Sequence, residues 1–312
     1  MQILYKLIIK IAIAIIFIFT VSCESDLDMQ IKEGGGQLVL FSFPVTDSLL
    51  SLHLSRSVGH SSVDDFERIY DGEYSILIND QEVVSKESFP YNKTEKKLEN
   101  IEVKEGDKIE IVATDTKNNR VKGSTKIPIA VPINRVDTQK IEIINKEGVS
   151  NSYLQCKISF TDPAEQSNFY QLIINEKHID SNNNIINTNY INYQKEDPVF
   201  YTRDQEGSLL GGINFLGTFP DYNFKGKQYT LTVNIPYAYL EPANEPETEI
   251  IVLEIKLLSL TQEYFDYIRS RIVAEYNYDL PVVDPIKTYS NIEGGLGLVG
   301  GMSVSQTSLK FE

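Results

Sequence analysis

The stretch Gln228–Ile235 alternates Tyr229, Leu231, Val233 and Ile235 with Gln228, Thr230, Thr232 and Asn234. A period of two places all four apolar side chains on one face of a strand and scatters them around a helix, so the segment reads as half-buried β-structure. The pattern recurs along the chain. Leu50, Leu52 and Leu54 alternate with Ser51, His53 and Ser55, and Leu154, Cys156, Ile158 and Phe160 share one face of another strand. Asn79-Asp80 and Asp115-Thr116-Lys117-Asn118-Asn119 supply turn chemistry between such runs. With 18 Tyr, 14 Phe and no Trp, the composition also favours strands.

One segment has a different period. Tyr264, Ile268, Ile272 and Tyr276 recur at every fourth position, with Glu263, Asp266, Arg269, Arg271 and Glu275 elsewhere. This predicts an amphipathic helix near 260–277 laid on a sheet, with Ser259-Leu260-Thr261-Gln262 as a capping box and Ser259 as N-cap. Pro281 and Pro285 end it.

The chain exceeds the roughly 250 residues at which single cores stop growing, so two domains are expected. Pro128 and Pro132 bracket a segment unsuited to a paired central strand, which places the boundary near 130. The predicted architecture is mainly β. Residues 37–130 form an N-terminal Ig-like β-sandwich. Residues 131–312 form a larger antiparallel β-sandwich or barrel-like domain carrying the helix. In the first, Lys104-Glu105-Gly106-Asp107 is a hairpin signal between Leu98–Val103 and Asp107–Ala113. In the second, Ile133–Ile144, the Cys156 strand and Phe169–Ile174 read as a meander. Ile179–Asn192 reads as a long Asn-rich loop, of the kind that is functional or disordered. Tyr190, Tyr193, Phe200, Tyr201, Phe219 and Tyr222, around Asp197, Arg203, Asp204 and Glu206, are the candidate ligand-binding rim. The competing reading has these rings plugging the end of the sandwich.

The N-terminus determines location. Lys6 and Lys10 precede the unbroken apolar run Ile11–Val21, the charge and length of a secretory signal. Thr20-Val21-Ser22-Cys23 resembles a lipobox, with Thr20 where an aliphatic residue is usual. On this reading 1–22 is a signal peptide, Cys23 carries the lipid and 23–36 is a tether ending in Gly34-Gly35-Gly36. Glu24, Asp26 and Asp28 form an acidic cluster resembling a surface-export signal, and a multiply acylated cysteine anchors stably without a helix.

Charge and missing motifs narrow the chemistry. Loss of residues 1–22, with two lysines and no acids, takes the formal charge from −15 to −17, which opposes binding to nucleic-acid phosphates. Cys156 is the other of the two cysteines; a lipidated Cys23 cannot pair with it, and its alternating context predicts a buried thiol. His53, His60 and His178 have no metal-ligand spacing. No catalytic set, metal site or cofactor is expected. Glu263 with Asp266 is the one carboxylate pair, read as a solvated first turn. Gly295-Leu296-Gly297-Leu298-Val299-Gly300 matches a dinucleotide fingerprint formally, but no helix follows and the chain ends too soon for the ribose-binding acid. Its glycines predict a bulge or a close backbone approach.

Pro285-Ile286-Lys287-Thr288-Tyr289-Ser290-Asn291-Ile292-Glu293-Gly294-Gly295-Leu296-Gly297 resembles the closing signature of a Bacteroidota outer-membrane lipoprotein family, domain of unknown function 4249. Val299 stands where that family commonly has an aromatic. The Cys23 start, the Val103–Gly106 turn, the strand into Ile127-Pro128, Phe160-Thr161-Asp162-Pro163 and Leu258–Phe265 fit the same family in order. The resemblance implies an outer-membrane lipoprotein encoded beside a TonB-dependent receptor, with no catalytic residues to carry over. The expectation is therefore a non-enzymatic, lipid-anchored protein facing the cell surface, accessory to such a receptor in substrate capture or uptake, with its ligand undefined. An adhesin or structural surface protein is the alternative, and a carboxylate-dependent hydrolase the remote one.

Overall fold

Leu50, Leu52 and Leu54 are at most 1% exposed, and so are Cys156, Ile158 and Phe160. The period-two alternation is thus realised as inward-facing rows. Burial pushes the Cys156 thiol up to about 12, so it stays protonated and inert. The computed structural model describes residues 35–59, 62–180, 182, 184–201, 214–240, 250–278 and 287–311.

In chain order the first strands are β1 (Leu38–Ser42), β2 (Leu49–Arg56), β3 (Glu67–Arg68), β4 (Glu73–Ile78), β5 (Gln81–Ser88), β6 (Glu95–Glu102), β7 (Lys108–Thr114) and β8 (Arg120–Lys126). They continue as β9 (Ile133–Ile144), β10 (Ser150–Thr161), β11 (Phe169–Ile179), β12 (Ile185–Tyr190), β13 (Gln194–Lys195), β14 (Thr218–Pro220), β15 (Gln228–Pro236) and β16 (Ile250–Leu260). Helix α1 (Gln262–Tyr278), β17 (Leu296–Val299) and β18 (Met302–Phe311) follow. Sheet order β17-β1-β2-β3, with β6 also on β2, packs against β5-β4-β7-β8 around the first core. Order β13-β15-β10-β9 packs against β12-β11-β16-β18, with β14 also on β11, around the second. The protein is mainly β, two largely antiparallel sandwiches with one described α-helix.

Two predicted connections differ. β6 and β7 lie in opposite sheets, so the Lys104–Asp107 turn, with Gly106 at φ 82°, arches between sheets instead of closing a hairpin. β10 and β11 are likewise in opposite sheets, so β9-β10-β11 is no meander. Both arrangements bury the same faces, and alternation cannot choose between them. The Asn-rich stretch contains β12, paired to β11 from Asn175↔Tyr190 to Ile179↔Ile185. It is exposed at all six positions and shows no apolar face to read.

The boundary near 130 separates the two cores, but the chain crosses it again. β17 runs parallel to β1, from Val39↔Leu296 to Ser42↔Val299. Glu293 and Lys122 exchange backbone hydrogen bonds at 2.8 and 3.1 Å, which sets the same segment against β8. Residues 292–299 therefore close the first sandwich, and 131–312 is not one contiguous domain. The glycines permit this approach. A Cβ on Gly297 (φ 117°) would overlap Leu40 O, one on Gly295 would overlap Leu38 O, and one on Gly123 would strike Val299. The formal dinucleotide fingerprint is a strand and its exit.

Helix α1 starts two residues later than the capping-box reading. Thr261 is the N-cap, its Oγ1 accepting from Tyr264 N at 3.3 Å. Ser259 lies inside β16, where its Oγ accepts from Val131 N at 3.2 Å. The helix buries Phe265 and Ile268 against Phe169, Leu258 and Leu260. Its other side carries Tyr264 and Tyr267 to the first sandwich, with ring centroids 5.2 Å from Phe43 and 5.8 Å from Phe41 respectively. Aromatic pairs contribute about 0.5–1.5 kcal/mol each beyond area burial, so the helix wedges the two sandwiches together. Tyr276, predicted to be on the buried stripe, is exposed.

Gly297→Ala combines a left-handed φ with an overlap on backbone. It is expected to cost roughly 2–5 kcal/mol of stability, read as a lower urea midpoint with an unchanged slope. Gly148→Ala, also at positive φ but with open space around it, should cost clearly less.

Candidate functional site

The six predicted rim aromatics divide evenly. Tyr193, Phe200 and Phe219 are at most 5% exposed and belong to the second core. Tyr193 Oη donates to Leu172 O at 2.7 Å, and Phe200 meets Phe219 edge-on at 5.4 Å. These three plug the sandwich. Tyr190, Tyr201 and Tyr222 are exposed, but no ring contact joins them among the described residues. Tyr201 borders a hollow of about 200 Å³ with Lys195, Phe200, Asn214, Phe215 and Thr218, below the 300–1,000 Å³ typical of ligand pockets. The Lys195 ammonium lies 4.9 Å over the Tyr193 ring, and burial lowers its pKa. Phe215 is held from behind by the Arg269 guanidinium, 3.7 Å over its ring. Arg203, Asp204, Glu206 and His60 lie outside the described residues, as do Cys23, Glu24, Asp26 and Asp28.

A cleft of about 500 Å³ opens where the two sandwiches meet the start of α1. Lys126, Ile127 and Pro128 come from the end of β8, Gln166 and Asn168 from the β10–β11 arch, and Gln262 and Glu263 from the helix. Most segments quoted for the family resemblance converge on it. Gly106, Ile127-Pro128 and Ser259–Glu263 line the wall, and Asp162 of the Phe160–Pro163 run anchors Asn168 behind it.

That anchor explains the Asp-Pro turn. Asp162 Oδ1 accepts from Tyr170 Oη at 2.6 Å and Asn168 Nδ2 at 3.1 Å, while its Oδ2 accepts from Gly226 N at 2.7 Å. Asp221 Oδ2 accepts from Asn168 N at 2.8 Å, and its buried Oδ1 has no hydrogen-bond partner. Burial chiefly, with the neighbouring Asp162 charge, raises the Asp221 pKa. Two buried carboxylates thus hold the arch through one asparagine, with the burden of desolvation on Asp221. Asp197, placed by the sequence at the rim, is a similar hub: it accepts from Val199 N, Tyr229 Oη and Thr232 N. Sequence reading missed Asn168 and Asp221 as cleft supports, because nothing in a single sequence couples positions 53 residues apart.

Glu263 and Asp266 lie one helical turn apart. Burial chiefly raises Asp266, with the Glu263 charge adding to it and a hydrogen bond from Gln262 opposing. Neither described histidine joins them: His53 meets Phe66 edge-on, and His178 pairs with Glu176 on β11. Among the described residues no group of three His, Cys, Asp or Glu side chains is arranged to hold a metal ion. What the cleft offers is ligand-sized space lined by apolar side chains, amides and hydroxyls, with one lysine and one carboxylate, Glu263.

The family model described as Domain of unknown function (DUF4249) matches residues 24–308. No curated protein sequence matches the chain. Among solved structures, one of alpha-L-rhamnosidase from Dictyoglumus thermophilum aligns at 10% identity over 72% of this chain and 27% of that enzyme, with a TM-score of 0.29. The chain spans little more than a quarter of that enzyme, and a likeness this low carries no argument.

Asp162→Ala strips the acceptor from Tyr170 and Gly226 and should lower stability by roughly 2–5 kcal/mol. Asp221→Asn keeps an acceptor for Asn168 N and removes the buried charge. A raised carboxyl favours the protonated folded form, so its contribution is present at low pH and lost as pH rises through the raised value. Asp221→Asn should therefore stabilise by about 1 kcal/mol at pH 7. The gain should vanish on acidification below the ordinary carboxylate range. Urea titrations across pH read both effects.

Proposed function

The chain belongs to the DUF4249 family, and from that membership we propose that it is a non-enzymatic lipoprotein of a Bacteroidota cell. It is held at the outer membrane by Cys23 and serves a TonB-dependent receptor in substrate capture or uptake. The observation that carries this reading is where the family match begins. It starts at residue 24, directly behind the cysteine at which the signal reading places the cut. The family domain and the expected mature chain therefore coincide, and the apolar run Ile11–Val21 falls outside the match. In this proposal the anchor is the lipid on Cys23.

The cleft beside α1 supports capture. Its volume suits a small ligand, and its walls come from both sandwiches, so any change in their packing alters the ligand's surroundings. The acidic cluster Glu24, Asp26 and Asp28 supports a position facing the cell surface.

Mass spectrometry of the N-terminal peptide should find acylated Cys23 in the parent and an unacylated chain in Cys23→Ala, with the variant leaving the outer-membrane fraction. A mature chain without acyl groups sinks the anchor. Extraction in mild detergent should bring a TonB-dependent barrel with the protein. Repeated isolation from the outer membrane without one sinks the receptor partnership.

A further inference from the structure

β12 is an edge strand, regular from Asn187 to Tyr190 and irregular only at Ile186, where its register to β11 shifts. It reads Ile185-Ile186-Asn187-Thr188-Asn189-Tyr190, without a charge, proline or glycine. Ile185, Ile186 and Tyr190 are 58%, 60% and 47% exposed. Proteins normally blunt such edges, because unpaired amides and carbonyls template further strands. The other described edges follow that rule. β5, β6, β8 and β9 carry several charges each, β3 and β13 are two residues long, and β17 is mostly buried. β18 carries Lys310, and its first half lies under the 128–133 connector, where Ile133 N donates to Ser305 Oγ at 3.0 Å.

The direction of the free groups follows from register. Ile191 N donates to Ile174 O at 2.9 Å, in line with the Asn175↔Tyr190 pairing. Antiparallel alternation then turns residues 187 and 189 inward, and the amides and carbonyls of 188 and 190 outward, up to the register shift at Ile186. Thr188 N is occupied only by its neighbour, Asn187 Oδ1, at 2.8 Å. Glu176 on β11 is also bound to Asn189 Nδ2, at 2.9 Å, which fixes the strand's inner face.

We infer that this edge pairs with β12 of a second copy, antiparallel about a two-fold axis at Thr188. The sequence is self-complementary in that register. Thr188 meets Thr188, Ile186 meets Tyr190 as a β-branched–aromatic pair, and Asn187 meets Asn189 across the other face. Once Asn187 Oδ1 releases Thr188 N, the two Thr188 residues exchange about two backbone hydrogen bonds. The absence of charge matters in a chain of formal charge −15, because no like-charged side chains oppose each other across the join. The two-fold is isologous and closes, so the sheet extends across two copies and stops. The inference does not depend on the lipid anchor.

A strand-only contact is smaller than a standard interface of about 1,600 Å², so covalent trapping is the suitable readout. Residues paired at the two-fold have Cα atoms about 5.5 Å apart, inside disulfide reach. Under mild oxidation the full chain with Thr188→Cys should form a disulfide dimer at least tenfold faster than Ile144→Cys, equally open at the β9–β10 tip, or the parent. Salt should speed trapping by screening the repulsion between copies. Ile186→Lys in the Thr188→Cys background should abolish trapping while leaving the unfolding midpoint unchanged. Trapping no faster than the Ile144→Cys control, or indifferent to Ile186→Lys, overturns the inference. So does a parent chain that stays monomeric and co-purifies with a second protein lost on Ile186→Lys, which would assign the edge to a foreign strand.

Discussion

Everything in this molecule that lies between the two sandwiches depends on how closely β17 approaches β1. Gly297 has no side chain, and its Cα lies where any Cβ would overlap Leu40 O. The parallel pairing needs that proximity. Beyond β17, Gly301 N donates to Thr261 Oγ1 at 3.2 Å, and Gly301 O accepts from Thr261 N at 3.0 Å. The residue that caps α1 is therefore held by the exit of β17. Displacing the strand would move the helix start, and with it one wall of the cleft.

Buried carboxylates do the corresponding work in the loops. Asp115 pairs with Arg56 and gathers the amides of Lys117 and Asn119. Asp162 gathers Tyr170, Asn168 and Gly226, and Asp197 gathers Val199, Tyr229 and Thr232. In each case a charge that would be costly alone is offset by several converging donors. The acidic composition therefore has a structural component as well as a solvated one. These acids hold turns in place.

The family resemblance gains a physical meaning from this arrangement. The turn at Gly106, the exit at Ile127-Pro128, the arch at Asn168, which Asp162 anchors, and the helix start at Thr261 are far apart in the chain and adjacent in space. Together with the glycine-rich end they form the joint between the sandwiches. These pieces fasten the two sandwiches to each other.

By itself the sequence determined which faces are buried, where most strands run, that one amphipathic helix follows β16, and that Cys156 is an inert thiol. These follow from local period and local chemistry, which neighbouring residues carry between them. Tertiary structure alone decided which sheet each strand joins, because β6-to-β7 and β10-to-β11 bury the same faces as hairpins or as arches. It decided that Tyr193, Phe200 and Phe219 fill the core while Tyr190, Tyr201 and Tyr222 stay outside, since aromatic residues suit both fates. It showed β12 inside an Asn-rich stretch whose exposure leaves no pattern, and brought Asn168 to Asp221 across 53 residues. Hydrogen bonds and close packing between distant segments have no period, so they become visible only once the chain has folded.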